Sequence, residues 1–555
     1  MASTRAHRAP RFGRSPLGAA LLWAVSSGLL GPAAEALAED PDSTVDHGAL
    51  PELSGPFETG PQVTAACLGC HTEAGRQVQA TTHWSWRFVH PETGQVLGKR
   101  FVVNNFCGPV RTNEPRCASC HNGYGTDALL RGETSTHGAS GLGPRAEARV
   151  DCLSCHDTTG TYVKSPTRSG QVLQEETTVH GETFEPPDLT AVAQSVGEPT
   201  LKACGSCHFN GGGGDGSKHG DLDSSLLDAP HALSVHMSEE GGGFACQTCH
   251  VTRGHEMAGG RYAMSARDRA GTGAPGLRRH AATCESCHGT DPHERGGPFI
   301  ALTLDRHADR VACQTCHIPR IARGGVMTKV WWDWSKAGRL TEDGERIHET
   351  NAAGRTTYWS RWGEIRWQED FRPSYAWFDG VTRYARPGQS IDTSTVVALN
   401  RFGGDAEDPD ARIWPFKIMR GRIPYDAGRD ELVLMHLFGR DGTAFWRNLD
   451  WAPAIEAAMK GADHPFSGEV GFVDTKMYWP VTHMVAPAEA SVTCGDCHRR
   501  PSIMAGIDDV YLPGRDAHGL LDLAGFGALA LTGVLILGHA ALRLVFWSRR
   551  TRRRR

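Results

Sequence analysis

Residues 67–71 read Cys67-Leu68-Gly69-Cys70-His71, and the spelling Cys-x-x-Cys-His returns at Cys117, Cys152, Cys204, Cys246, Cys284, Cys313 and Cys494, eight copies in all. Sixteen of the 17 cysteines are spent in this way. Two thiols three positions apart, followed at once by an imidazole, suit one chemical task. The thiols add to the two vinyl groups of a haem, and the histidine reaches the iron from the same face. Paired Cys-x-x-Cys units also build four-thiolate zinc sites, and cysteine-rich exported chains also form disulfide scaffolds. Neither requires a histidine after every second cysteine. The pattern therefore predicts eight covalently bound haem c groups, attached through Cys67, Cys70, Cys117, Cys120, Cys152, Cys155, Cys204, Cys207, Cys246, Cys249, Cys284, Cys287, Cys313, Cys316, Cys494 and Cys497. The proximal iron ligands are then His71, His121, His156, His208, His250, His288, His317 and His498.

Each iron also needs a sixth ligand unless its site stays open. The chain has 27 histidines, so supply exceeds demand. Ranked by nearness to a motif in loops where haems must crowd, the candidates are His83, His219, His236, His255, His280, His293, His307 and His483. Sequence does not assign them to individual irons.

Away from the motifs, 39% apolar and 22% charged residues describe a folded body and exclude a disordered chain. The N-terminus carries Arg5, Arg8, Arg11 and Arg14, then an apolar run from Leu17 to Leu30, then Ala36-Leu37-Ala38 as a cleavage site. Residues 1–38 thus read as an export signal. At the other end, Leu523 to Leu542 has spanning length and is followed by Arg543, Arg549, Arg550 and Arg552 to Arg555. The positive-inside rule keeps that tail in the cytoplasm, which places the body on the periplasmic face of the cytoplasmic membrane. Without signal and tail the formal charge of −5 becomes about −14 on the body. Such a body repels nucleic acid and favours basic protein partners, while a local basic cluster can still receive an anion.

The organisation follows. After the signal comes a seven-haem region, 39–317, with Gly-rich loops such as Gly211 to Gly214 and little room for regular structure. Its core is expected to be the haems themselves, with short helices carrying the motifs. Residues 318–480 hold 11 of the 15 tryptophans and form either a cover over haem edges or an ordinary aromatic core. Within this segment, Trp451 to Lys460 reads as a helix and Gly403 to Asp410 as a loop. The eighth motif and a linker occupy 481–518, a transmembrane helix 519–548, and a basic cytoplasmic tail 549–555. The expected fold class is mainly α with little regular structure, a haem-filled core and one C-terminal transmembrane helix.

Several stretches resemble the tetrathionate reductase family of octahaem c-type cytochromes. They are CLGCHTEAGRQVQATTHWSW from Cys67, NNFCGPVRTNEPRCASCHNGYG from Asn104, DCLSCHDTTGTYVK from Asp151, CGSCHFNGGGGDGSKHGDLD from Cys204, and YWPVTHMVAP before the last motif. The resemblance implies a compact, mostly helical multihaem cytochrome c fold, related in haem arrangement to hydroxylamine oxidoreductase and multihaem nitrite reductases. It also implies one haem with an exchangeable site ligated by lysine. Arginine keeps its proton and cannot serve there, whereas a desolvated lysine can become neutral and offer its lone pair. Of nine lysines, Lys164, Lys202 and Lys218 lie among the motifs, and Lys164 falls in the family-like DTTGTYVK. Lys164 is the candidate ligand for the haem of Cys117 and Cys120; a solvated surface lysine is the plain alternative.

Cys107 is the one cysteine outside the motifs. Its place ten residues before the second motif suggests a catalytic thiol near the substrate haem, able to exchange with a sulfur–sulfur bond with help from Arg111 or Arg116. A buried inert thiol is the competing reading. Three functions follow. One is a reductase of tetrathionate, nitrite or hydroxylamine, supplied with electrons by a donor protein or a quinol-linked membrane partner. The second is a non-catalytic electron conduit. The third, hydroxylamine oxidation, requires in the resembling family a tyrosine from a long segment after the last haem. Only Tyr511 lies between His498 and the membrane segment here, which disfavours it.

Overall fold

The motif sequences form single helical turns, and the reason is local. A turn of α-helix brings positions i and i+3 onto one face, so both thiols of a Cys-x-x-Cys unit point the same way and the histidine follows at i+4. The computed structural model describes residues 45–125, 147–165, 170–179, 182–272, 279–293 and 297–553. The expected signal, 1–38, lies outside these. The motifs close or form the helices Gly60–Cys70, Glu114–Cys117, Leu153–His156, Leu201–His208, Cys246–Cys249, Glu285–His288, Cys313–His317 and Cys494–His498. Caps set where some begin: Thr200 accepts from the backbone N–H of Ala203, and Thr493 and Asp496 form a reciprocal capping box.

Residues 318–480 depart from the mainly α expectation. They build a nine-stranded sheet from β1 (Thr328–Asp333), β2 (His348–Thr350), β3 (Thr356–Trp359), β4 (Gly363–Gln368), β5 (Ser374–Phe378), β6 (Val397–Ala398), β7 (Arg412–Asp426), β8 (Glu431–Leu432) and β9 (Val470–Pro480). The order is β6-β9-β7-β1-β4-β3-β2, with β5 and β8 also pairing β7. Strands β7 and β9 run antiparallel from Phe416 opposite Pro480 to Asp426 opposite Val470, while β7 and β1 run parallel at Arg420 and Trp331. The sheet is what the tryptophans serve. Trp332, Trp334 and Trp479 are buried in one cluster with Phe106, Met419, Ile423 and Met477, so an aromatic core is present. The cover reading is compatible with it, because Trp332, Trp334, Trp362 and Trp446 also wall the central cavity described below. A helix spans Trp451–Lys460, capped by Asp450, and buries Ala454, Ile455, Ala458 and Met459 on one face. Residues 403–410 carry no helix or strand.

Buried cations tie the sheet to the motif region. Lys329 of β1 donates to the carbonyl of Gly212 at 2.7 Å and lies 3.6 Å over the Trp332 ring. Lys417 of β7 donates to the carbonyls of Ser217 at 3.2 Å and Lys218 at 2.9 Å. Gly212 and Gly213 hold φ of +89° and +97°, a backbone that glycine alone adopts cheaply, so the loop can fold over the lysines. Burial lowers the Lys329 amine from its ordinary value to about 7. Below that pH it is charged in both folded and unfolded chains. Above about 10.5 it is neutral in both. Between them the unfolded chain binds more protons, so stability rises with pH. The free energy of unfolding of the wild type, relative to Lys329→Met, is expected to climb across pH 7–10 by at most about 1.4 kcal/mol per pH unit. Denaturant titrations of both proteins at each pH check this; parallel profiles contradict it.

The C-terminal helix runs Gly519–Arg552, longer than expected and taking in Arg549 and Arg550 of the basic tail. Its apolar window has mean hydropathy 2.1 and none of it is buried in the protein. Length and composition suit a bilayer crossing.

Candidate functional site

Seven motif histidines each face a second histidine. The pairs are His71 with His47, His208 with His83, His156 with His255, His288 with His236, His250 with His483, His317 with His293, and His498 with His307. Their ring centroids lie between 6.0 Å (His236 and His288) and 6.4 Å (His47 and His71) apart. Two imidazole nitrogens each about 2 Å from one metal ion place the ring centroids roughly 6 Å apart, so the spacing fits an iron between them.

The tautomers agree. Nδ1 donates to the carbonyl of Gly197 in His156, of Ala258 in His250, of Pro513 in His498 and of Thr303 in His307, at 2.7 to 2.9 Å. An Nδ1 proton fixed by such a bond leaves the Nε2 lone pair for a metal. Burial also holds His208 down to about 3 and lowers His83, His236, His250, His255 and His317, which keeps these imidazoles neutral.

Among the described residues, no group of three or more His, Cys, Asp or Glu is arranged to hold a metal, and no two cysteines are joined in a disulfide. The thiols meet across motifs instead. Cys67 touches Cys152, Cys120 touches Cys207, Cys204 touches Cys246, and Cys284 touches Cys313. Cys155 lies near Cys204, Cys249 near Cys284, and Cys316 near Cys497. The motifs thus form one string, first to third to fourth and on to the eighth, with the second joined at the fourth.

At the second motif, the ring of His121 packs on Trp86 among the described residues, with centroids 3.6 Å apart. Lys164 donates to the carbonyls of His121 at 2.8 Å and Gly123 at 2.9 Å, and pairs with the buried Asp151 carboxylate at 3.2 Å. In this position its ammonium makes two hydrogen bonds and one ion pair, so ligation of an iron requires the amine to lose a proton and turn. Asp151 is itself held by the hydroxyl of Tyr162 at 2.9 Å and the backbone N–H of Ser154 at 3.1 Å. Beside the motif opens a cavity of about 1570 Å³ that also reaches Cys107, Lys99 and Lys218. Its described lining carries eight lysines and arginines against two carboxylates. Cys107 is half-buried, and its backbone N–H donates to Asn104 Oδ1 at 3.0 Å. Arg116 lines the same cavity, whereas Arg111 turns to Asp463 at 3.8 Å.

Residues 329–501 match the model of a family described as bacterial cytochrome c. None of the curated proteins matches the chain. The crystal structure of octahaem cytochrome c from Shewanella oneidensis is similar at 35% identity, over 82% of this chain and 94% of that one, with a TM-score of 0.69. The chain belongs to the family of that octahaem cytochrome c. It is a multihaem cytochrome with covalently bound haem c, and its cysteine pairs, histidine pairs and cavity fit that group.

Of the candidate sixth ligands, His83, His236, His255, His293, His307 and His483 stand opposite motif histidines in the cytochrome. His219 and His280 are placed otherwise. His219 is buried edge-on against Trp479 with centroids 5.1 Å apart. His280 uses Nε2 to donate to the carbonyl of Glu256 at 3.1 Å. His47, outside the sequence ranking, faces His71; its only signal is its place on a short helix 20 residues before the first motif. Asp151 and Trp86 also gave no sign in the sequence.

Proposed function

We propose that the cytochrome is a membrane-anchored reductase on the periplasmic face, carrying eight haems. It takes electrons from a donor protein or quinol-linked membrane partner and passes them to a small anion at the motif of Cys117 and Cys120. This is the activity of the tetrathionate reductase family that its sequence resembles. The observation carrying the reading is Lys164, docked on the backbone of the second motif in the wall of a cationic cavity. Cys117, Cys120 and Cys207 in the lining give part of this space to haem, and the lysines and arginines around it, on a body of about −14 net charge, draw anions towards the second motif. Tetrathionate and nitrite meet that condition, whereas hydroxylamine is uncharged near neutral pH.

The haems supply one-electron transfer. The seven histidine pairs would hold seven irons, and His121 with Lys164 would hold the eighth. Lys99 and the arginines of the lining orient the anion. For tetrathionate the balance is simple: two electrons split the central sulfur–sulfur bond into two thiosulfates, and no proton is consumed. Cys107 is placed to share that step. Its thiolate attacks the bond and releases one thiosulfate, and two electrons then release the second and restore the thiolate.

The test is electron paramagnetic resonance of the oxidised protein, with turnover of tetrathionate, nitrite and hydroxylamine by the reduced one. One signal distinct from bis-histidine haem, together with turnover of an anion, is expected. The string of seven histidine pairs also favours a second reading, a pure conduit, which requires uniform bis-histidine signals and no turnover. The ligand pairs are tested separately. His47→Ala is expected to turn one low-spin haem high-spin with haem content unchanged, while His219→Ala leaves the spin states as they are. The reverse pattern in magnetic circular dichroism refutes the pairing.

A further inference from the structure

The helix Pro298–Ala308 buries no residue. Its first seven positions, Pro298 to Leu304, contain no charge, and Phe299, Ile300 and Leu302 are 84%, 55% and 51% exposed. Charged residues begin only at Asp305. A single exposed leucine is ordinary; three large apolar side chains on one protruding end are not. The far end of the helix is anchored in the haem body. His307 faces His498 of the eighth motif with ring centroids 6.1 Å apart. Phe299 and Ile300 lie about 11–12 Å from His307 along the axis, two turns beyond the ring pair.

What lies beside this end is fixed by the linker. Val311, four residues past His307, shares one apolar cluster with Cys497 of the eighth motif and with Met504, Ile507, Val510 and Leu512 of the linker. Arg515 fastens the linker further by donating to the carbonyls of Met504 at 2.6 Å and Val510 at 2.8 Å, and Asp516 accepts from the N–H of Leu512 at 2.7 Å. Only Ala517 and His518 separate Asp516 from Gly519, where the apolar helix begins. That stretch spans at most about 11 Å. Tyr511, 57% exposed, stands on the same linker, an amphipathic ring of the kind found at bilayer surfaces.

We infer that the Phe299–Leu302 end of this helix is seated in the lipid interface of the membrane crossed by Gly519–Arg552, making a second, monotopic contact that holds the eighth motif against the bilayer. The inference rests on the anchoring part of the proposed function. The apolar end enters the headgroup boundary while Asp305, Arg306 and the rest of the body stay in water. One spanning helix leaves the body free to swivel. Two contacts fix its orientation, with the haem between His307 and His498 turned to the membrane side, where a quinol-linked donor delivers electrons.

The test uses the full chain in vesicles of phosphatidylethanolamine and phosphatidylglycerol, with a photoreactive benzophenone side chain placed at Phe299 and, in a second protein, at Arg306. Lipid adducts, counted by mass spectrometry, are expected to be severalfold more abundant from position 299. Equal yields from both positions overturn the inference. So does a cross-link from position 299 to this chain or to a second copy. The anchoring reading is read out independently: if it fails, the chain washes off the vesicles in alkaline carbonate, whereas a retained chain with no lipid adducts at 299 sinks only the second contact.

Discussion

Lys164→Met is expected to reduce turnover of tetrathionate or nitrite at least about a hundredfold, the usual scale for removing a charge-stabilising group from an active site. Haem content and the seven bis-histidine signals should stay as in the wild type, and one paramagnetic signal should change. The structure also gives Lys164 a plain structural role, because its ammonium pairs with Asp151, whose side chain is fully buried. Losing the lysine leaves that carboxylate short of a charge partner, although Tyr162 and Ser154 still donate to it. The double variant Asp151→Asn, Lys164→Met separates the two roles. It removes the stranded charge, so a structural defect should be relieved and turnover regained, whereas loss of an iron ligand cannot be relieved this way. Lys164→Arg sharpens the distinction: a guanidinium can pair with Asp151 but cannot surrender its proton to bind a metal. Recovery of turnover in the arginine variant, measured with a reduced dye as donor, would rule out ligation by Lys164.

The parts of this protein that could be read from its sequence are those whose chemistry is local. Haem attachment requires two thiols and an imidazole within five residues, so the eight motifs stand out however the chain folds. Sixth ligands obey no such rule. His250 meets His483 across 233 positions and His307 meets His498 across 191, so nearness to a motif selects His83, which faces His208, together with His219 and His280, for which no facing motif histidine is seen among the described residues. His47 lies 20 residues before the first motif, so a ranking by nearness to a motif leaves it out.

The sheet stayed hidden for another reason. The central strand β7 reads Arg-Ile-Trp-Pro-Phe-Lys-Ile-Met-Arg-Gly-Arg-Ile-Pro-Tyr-Asp. Arg412, Lys417 and Asp426 are all buried there, and two prolines interrupt it, so neither an alternating nor a continuous apolar pattern appears. Those buried polar groups are where the sheet grips its surroundings. Lys417 reaches the Gly-rich loop, Asp426 accepts from the backbone N–H of Ser467 at 2.9 Å, and Arg412 reaches a haem motif. Two of the residues that obscured the strand, Arg412 and Lys417, join it to the haem-bearing half.

Arg412→Met is accordingly expected to lower the free energy of unfolding by about 3–5 kcal/mol, the cost of stranding a buried charge. Arg412 donates to Glu285 Oε1 at 2.5 Å, and the two side chains are 7% and 9% exposed. Glu285 sits between Cys284 and Cys287 inside the sixth motif, so the pair clamps strand β7 to that motif directly. Next to it, the backbone N–H of Ala312 and the hydroxyl of Thr315 both donate to the carbonyl of Ile413, drawing the seventh motif onto the same strand end. Most of the loss should come from the unpaired carboxylate and little from the missing attraction. The double variant Arg412→Met, Glu285→Leu should therefore recover most of the stability, since an apolar pair of similar bulk satisfies a buried site about as well as an ion pair. Guanidinium unfolding followed by tryptophan fluorescence, on proteins with full haem content, measures both. Equal losses in single and double variants would assign the clamp to the attraction itself.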